Sequence, residues 1–147
     1  MPSLVEFDLL FLDKSWEWLN DPQIKGLTLT PDFTKQNQLS FYQGLSKTKD
    51  YWIKGITEDN VPIGAMGLKN INALTGEYWG YIGEKQYWGK GIGEYMIQQA
   101  ILRAKELMLL QIYLMVSEQN SRAKKLYSRM GFKLSVPGSV EKYYLKV

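Results

Sequence analysis

The chain contains no cysteine and no histidine. Without cysteine there is no disulfide, no thiolate nucleophile and no thiol-based metal site. Without histidine the commonest general base and the commonest metal ligand are missing too. No metal is therefore expected, and proton transfer falls to carboxylates and tyrosines. No apolar run is long enough to span a bilayer, and Glu6 and Asp8 stand where a secretory leader would be basic and then apolar. No membrane association is expected, and the cytoplasm is the default location. Charge of one sign is also scarce. Lys and Arg number 18 and Asp and Glu 15, a net +3 that is too small to imply nucleic acid but suits a cofactor with several phosphates.

What is present is an ordinary apolar fraction, 45% of 147 residues, read as a single domain over residues 1–147. Aromatic residues are plentiful: ten Tyr, five Trp and five Phe. Some must fill the core, and others are available to line a cleft for a flat or sugar-like ligand.

Alternation predicts an edge strand from Val5 to Leu12, followed by a short helix from Ser15 to Asn20 that Asp21-Pro22 breaks. Residues 25–33 read as a loop, and Thr34 caps a helix to about Lys47. Strands follow at Tyr51–Thr57, Ile63–Ile71 and Glu77–Gly83, joined by connections too short for crossovers, so they form an antiparallel meander. A helix from about Gly91 to Leu107 carries apolar residues at helical spacing (Ile92, Met96, Ile97, Ala100, Ile101, Ala104). It leads to a buried strand at Gln111–Val116, which makes this a parallel crossover. A helix from Ser121 to Met130 stops at Gly131, and Phe132–Val136 and Val140–Leu145 form a terminal hairpin. The fold class is α+β, with a mixed, mostly antiparallel twisted sheet, flanking helices and one parallel strand–helix–strand crossover.

Between the third meander strand and the long helix lies Trp88-Gly89-Lys90-Gly91-Ile92-Gly93. Alternate glycines leave main-chain N–H groups uncovered, and a helix mouth adds unpartnered donors and partial positive charge. Such a site suits a pyrophosphate. The same triplet also serves as a tight strand-to-helix connection. No Gly-Lys-Ser/Thr follows, so this is not a Walker A loop. It comes late in the chain, and no carboxylate follows on the next strand until Glu118, which argues against a dinucleotide fingerprint.

A second motif follows: Asn120-Ser121-Arg122-Ala123-Lys124-Lys125-Leu126-Tyr127, closed by Gly131-Phe132. Together with the glycine loop it resembles the GNAT superfamily of acyl-CoA-dependent N-acetyltransferases, whose phosphate loop is Arg/Gln-x-x-Gly-x-Gly/Ala and whose later signature is Asn-x-x-Ala-x-x-Leu-Tyr. Trp88 departs from the first loop position and cannot offer a cation. The Trp-Gly-Lys-Gly form is similar to the amino-sugar (pseudaminic-acid pathway-like) and ribosomal-protein acetylating branches.

The resemblance implies acetyl-CoA as cofactor and direct attack of an amine on its thioester. It places the diphosphate on the amides of Trp88, Gly89, Lys90, Gly91, Ile92, Gly93 and Glu94, with Lys85 or Lys90 assisting. The pantetheine arm would run between splayed strands, along Tyr81, Ile82 and Gly83 on one side and Leu114 to Ser117 on the other. Asn120 and Ala123 would hold its end, and an amide near Ile82 would meet the oxyanion. Tyr127 is implied as general acid toward the leaving thiolate. Glu77 is implied as the base, in a partly apolar setting, with Glu58, Glu84 and Glu118 as alternatives. Arg122, Lys124 and Lys125 either meet phosphates or form a solvated helix face.

The segment Trp16-Glu17-Trp18-Leu19-Asn20-Asp21-Pro22 resembles the first helix of the same two branches. That implies an acceptor wall built from Trp16, Trp18, Asn20 and Trp79, with Trp52 and Tyr81, the following loops and the final hairpin. The expected partner is a small-molecule amine, with a nucleotide-linked amino sugar preferred because no acidic cluster suits a polyamine. A protein N-terminus is the alternative acceptor, and a non-catalytic acyl-CoA-binding module the alternative function. A homodimer through the terminal strands is compatible with the superfamily.

Overall fold

In the computed structural model, which describes residues 1–147, Asp8 decides the shape of the N-terminal segment. Its carboxylate accepts from the Phe11 amide at 3.2 Å and caps a helix, α1, over Leu9–Asn20. The strand expected at Val5–Leu12 is confined to β1, Pro2–Val5. The correction has a physical reason: Phe11, Leu12, Ser15 and Trp18 are buried while Leu9 and Leu10 are exposed, a helical spacing that the short alternation before it conceals. Asp21 ends α1 and caps α2, Pro22–Leu27, through the Gln23 and Ile24 amides. Part of the expected loop 25–33 is thus helix. Pro22 starts α2, where a missing N–H costs nothing. Thr34 caps α3, Lys35–Gly44, in a capping box with Asn37.

Then come β2, Trp52–Glu58, and β3, Val61–Lys69, joined by Asp59-Asn60, both at positive φ as a two-residue hairpin turn requires. Next are β4, Thr75–Ile82, and α4, Ile92–Glu106, followed by β5, Gln111–Ser117, and α5, Ser121–Arg129. The chain closes with β6, Lys133–Val136, and β7, Val140–Lys146.

One seven-stranded sheet results, in the order β1-β2-β3-β4-β5-β7-β6. All neighbours are antiparallel except β4 and β5, joined by the α4 crossover. This is the α+β architecture that the sequence predicts. The β4–β5 pairing covers only Thr75–Glu77 against Gln111–Tyr113. Beyond it the two strands part.

The sheet has two unlike faces. Met66, Leu68, Tyr78, Ile112, Leu114 and Val116 project toward α4, where Met96, Ile97, Ala100 and Ala104 complete the core. On the other face Gly55 lies directly beneath the Phe11 ring, so α1 sits close against the strands. No helix is long and apolar enough to cross a membrane.

Candidate active site

The parting of β4 and β5 opens a cleft of about 1270 Å³ that runs through the sheet. Its walls come from both faces. Gly89, Gly91–Glu94, Leu126 and Tyr127 line the α4–α5 side, and Tyr51, Glu77, Trp79, Tyr81, Phe33 and Phe41 line the α1–α3 side. This exceeds the roughly 300–1,000 Å³ of a drug-sized pocket, so it has room for a long cofactor and an acceptor together.

The mouth of α4 is chemically open. Helices α1, α2, α3 and α5 each carry a side-chain cap, from Asp8, Asp21, Thr34 and Asn120. Helix α4 has none: its N-cap is Gly91, at φ +82°, with no side-chain bond. The first protein partner to appear is on Tyr95, whose N–H reaches Gly91 O at 3.3 Å, so Ile92, Gly93 and Glu94 present amides to the cleft. Gly89, at φ +73°, makes the preceding turn. At Gly93 a Cβ would stand 2.8 Å from Leu126 Cδ2, so this glycine lets α5 close over the loop.

Trp88 does a different task from a phosphate cation. Its indole N–H donates to Ile82 O at 2.8 Å, tying the loop to the end of β4. Its ring carries the Arg122 guanidinium at 5.5 Å. A cation thus reaches the loop from α5. The sequence gives both residues but not their pairing, because they are distant in the chain. Ile82 O faces Trp88, while the next amide, Gly83 N–H, turns to Ile63 O on β3 at 2.7 Å. A strand residue's N–H and C=O point to the same side, so Ile82 N–H also faces the cleft.

Tyr127 sits on α5 with its ring edge-on to Tyr78 at 6.5 Å and 5.8 Å from Phe132. Burial pushes its phenol up to about 12. The Gly-Phe that follows fixes this position. Phe132 N–H donates to Tyr127 O and Gly131 N–H to Ser128 O, a Schellman closure with Gly131 at φ +98°. Asn120 caps the other end of α5 by accepting from Ala123 N–H at 3.3 Å, and both line the cleft.

Glu77 faces the opposite side. It is 13% exposed, accepts from Asn70 Nδ2 at 3.0 Å and has Lys69 Nζ at 3.7 Å. Its setting is therefore more polar than expected. Trp79 and Tyr81 follow on the same side, stacked at 6.3 Å, and Tyr51 leans on Trp79 at 6.2 Å. The Trp79 indole N–H is buried without a partner.

Other expected residues lie elsewhere. Trp18 is 4% exposed, its N–H bound to Glu84 at 2.6 Å and its ring over Gly83, so it builds the core and not the acceptor wall. Trp16 meets the Phe33 ring edge-on and carries Lys35 over its face, and Asn20 donates to Trp16 O; neither Trp16 nor Asn20 lines the cleft. Trp52 packs against Arg103 on the α4 face. Lys85 pairs with Asp21 at 2.8 Å, and Lys124 with Glu141 at 3.0 Å, which commits both away from the loop. Lys90 and Gly83 do not line the cleft, and neither does the terminal hairpin. Among the alternative bases, Glu58 pairs with the N-terminus and Glu84 with Trp18. Sequence reasoning missed Asn70, Lys69 and Tyr51, and it missed the Leu27–Pro31 stretch that lines the cleft beside Phe33.

A model of the acetyltransferase (GNAT) family matches residues 12–132. An uncharacterized protein of Methanocaldococcus jannaschii, MJ1062, is 26% identical over 98 residues; the match covers 65% of this chain and 20% of that protein, so the chain spans about a fifth of the curated relative's length. Two solved structures share the fold. The spermidine N-acetyltransferase of Vibrio cholerae, in complex with CoA and spermine, superposes with a TM-score of 0.84 at 20% identity over 99% of this chain and 95% of its own. The Campylobacter jejuni N-acetyltransferase PseH, in complex with acetyl coenzyme A, gives 0.76 at 18% identity over 99% of both chains.

Proposed function

The chain belongs to the acetyltransferase (GNAT) family, and from that premise we propose that it is an acetyl-CoA-dependent N-acetyltransferase acting on a small primary amine. One observation carries the reading: a cleft through the sheet has an uncapped helix mouth at one end, Tyr127 within it and Glu77 on the far side. The residues fit coenzyme A. Its diphosphate meets the amides of Ile92, Gly93 and Glu94, with the Arg122 cation held above by Trp88. Its arm follows the unpaired edges of β4 and β5. The acetyl-CoA relative solved by others supports this cofactor.

When bound, acetyl-CoA supplies an acyl carbon open to attack by an amine. This chain moves the two protons and steadies the charge. Glu77 Oε2 takes the proton of the incoming ammonium. Ile82 N–H donates to the oxyanion in the cleft. The Tyr127 phenol, kept protonated by burial, gives its proton to the departing thiolate; the nitrogen's second proton passes to solvent, and as products leave Glu77 releases its proton to water and Tyr127 regains one from it. A thiol in water titrates near about 8.5, well below the phenol, but the same desolvation that raises Tyr127 also raises the proton affinity of a thiolate beside it. Base and acid stand on opposite faces because they handle different protons.

The acceptor half favours a nucleotide-linked amino sugar. Trp79 and Tyr81, stacked on each other, and Tyr51, tilted against Trp79, line the cleft with aromatic surface for a flat or sugar-like ligand. Glu77 and Glu94 are the only carboxylates lining the cleft, and Glu94 lies on the cofactor side, so a polyamine's several ammonium groups find one partner. The test is a panel of nucleotide-linked amino sugars, spermidine and peptides incubated with acetyl-CoA. Because the chain has no thiol of its own, free-thiol release reads turnover without background. Turnover highest with an amino-sugar nucleotide is expected. Preference for spermidine or a peptide would overturn the acceptor, and no release with any amine would overturn the activity.

A further inference from the structure

We propose that Asn70 is a positioning residue for the amine-deprotonating carboxylate, holding one oxygen of Glu77 so that the other is presented to the acceptor. The inference rests on the reading of Glu77 as base. Asn70 Nδ2 donates to Glu77 Oε1 at 3.0 Å. Oε2 has no hydrogen bond; its nearest cation, Lys69 Nζ, stands off at 3.7 Å. The carboxylate is therefore anchored by one atom and open at the other.

The local backbone shows that this bond is not a by-product of the turn. The β3–β4 connection is closed by Asn72, whose Oδ1 accepts from the Leu74 and Thr75 amides at 2.8 Å each. Ile71 N–H is tied to Asp50 O at 3.0 Å. The turn thus leaves the Asn70 side chain unused. Asn70 itself has φ +51°, a left-handed conformation that asparagine tolerates better than most side chains and that places its amide over β4. Residues held this way cluster where geometry matters for function.

The groups that face Glu77 come from every neighbouring element. Lys69 comes from β3, Asn70 from the turn, Tyr113 from β5 and Tyr51 from the segment before β2. Burial and then the Glu77 charge hold both phenols above their ordinary value, which keeps them neutral. Lys142, on β7, lies over the Tyr113 ring at 4.5 Å. Asn70 is the neutral donor that meets the carboxylate at 3.0 Å, and the Tyr113 phenol stands beside both groups.

Two variants test this without disturbing the fold. Asn70→Gly keeps the left-handed backbone and removes only the amide; Asn70→Asp keeps the shape and sets a second carboxylate beside the first. Both are expected to lower kcat by about tenfold, the effect of losing a hydrogen bond to a charged group. In both, the acidic limb of kcat/KM moves to higher pH, further for Asp, because each change disfavours a charged Glu77. Acetyl-CoA affinity and thermal stability should hold for the Gly variant. A Gly variant with unchanged kcat and an unmoved limb, while Glu77→Gln loses that limb, overturns the positioning role alone. A Glu77→Gln variant that keeps the normal profile overturns the base, and the positioning role with it.

Discussion

Tyr127 enters the cleft from a helix closed at both ends, by Asn120 before it and the Gly131-Phe132 turn after it. Its ring is set by Tyr78 and Phe132, so loss of the hydroxyl leaves the packing in place. Tyr127→Phe is expected to lower kcat by about 10²–10⁴-fold, the usual contribution of a positioned acid, with coenzyme A affinity unchanged in a direct titration. Full turnover would remove the phenol from the mechanism. At this scale the sequence is legible where a residue sits in a spaced motif. Tyr127, Asn120, Gly89, Gly91 and Gly93 all reach the cleft, and Glu77 reaches it at the head of β4. Trp16, Trp18 and Asn20 do not: an indole on an amphipathic helix serves the core as readily as a ligand, as Trp18 does, and the Asn20 amide is spent on Trp16 O. Asn70 was invisible for another reason: its meaning lies in a contact with β4 that only the turn geometry creates.

Helix ends carry the next level of the account. Helix α4 opens on a bare Gly91 and closes on Met108, at φ +59°. Leu109 N–H reaches Ala104 O and Met108 N–H reaches Lys105 O, the same Schellman closure that Gly131 completes on α5. Met108 is 82% exposed, so its side chain packs against little. Met108→Gly should therefore stabilise the fold by about 1 kcal/mol, since glycine takes this conformation without strain. In thermal melts that is a rise of about 2–4 °C. Gly131→Ala should do the reverse, costing about 1–2 kcal/mol, because alanine is strained at positive φ and its Cβ would stand 3.4 Å from Leu145. A loss on Met108→Gly, or no loss on Gly131→Ala, would contradict this reading of the caps. The sequence shows the Gly131 stop and the Thr34 cap plainly. It misleads at Val5–Leu12, where a short alternation overlaps the start of α1 and only the Asp8 cap separates them.

Across the whole molecule the aromatic content has a thermodynamic consequence. Tyr51, Tyr78, Tyr81 and Tyr127 are all pushed above the ordinary phenol value, chiefly by burial. In the unfolded chain they ionise near about 10. A raised folded value means that the stabilisation is fully present below that pH and is lost as pH climbs above it. Each adds a loss of about 1.4 kcal/mol per pH unit until its folded value is reached. Melting temperature should hold below pH of about 10 and then fall steeply, with the phenolate signals of these four rings appearing together with unfolding. Phenolate formation at any of these four positions in the native protein, read one ring at a time, would contradict their burial.

The same rings, the parted strands and the open helix mouth meet only when the sheet is assembled. Element order was readable from spacing and turn residues. The cleft through the sheet was readable only as an implication of family likeness, since it depends on how far β4 and β5 stay paired. The most direct measurement is a crystal structure of this chain with acetyl-CoA. The diphosphate should lie on the amides of Ile92 to Glu94, beneath Arg122, with the thioester sulfur within hydrogen-bond reach of the Tyr127 hydroxyl and the carbonyl toward Ile82 N–H. A coenzyme seated outside the gap between β4 and β5, or a sulfur turned away from Tyr127, would contradict the account.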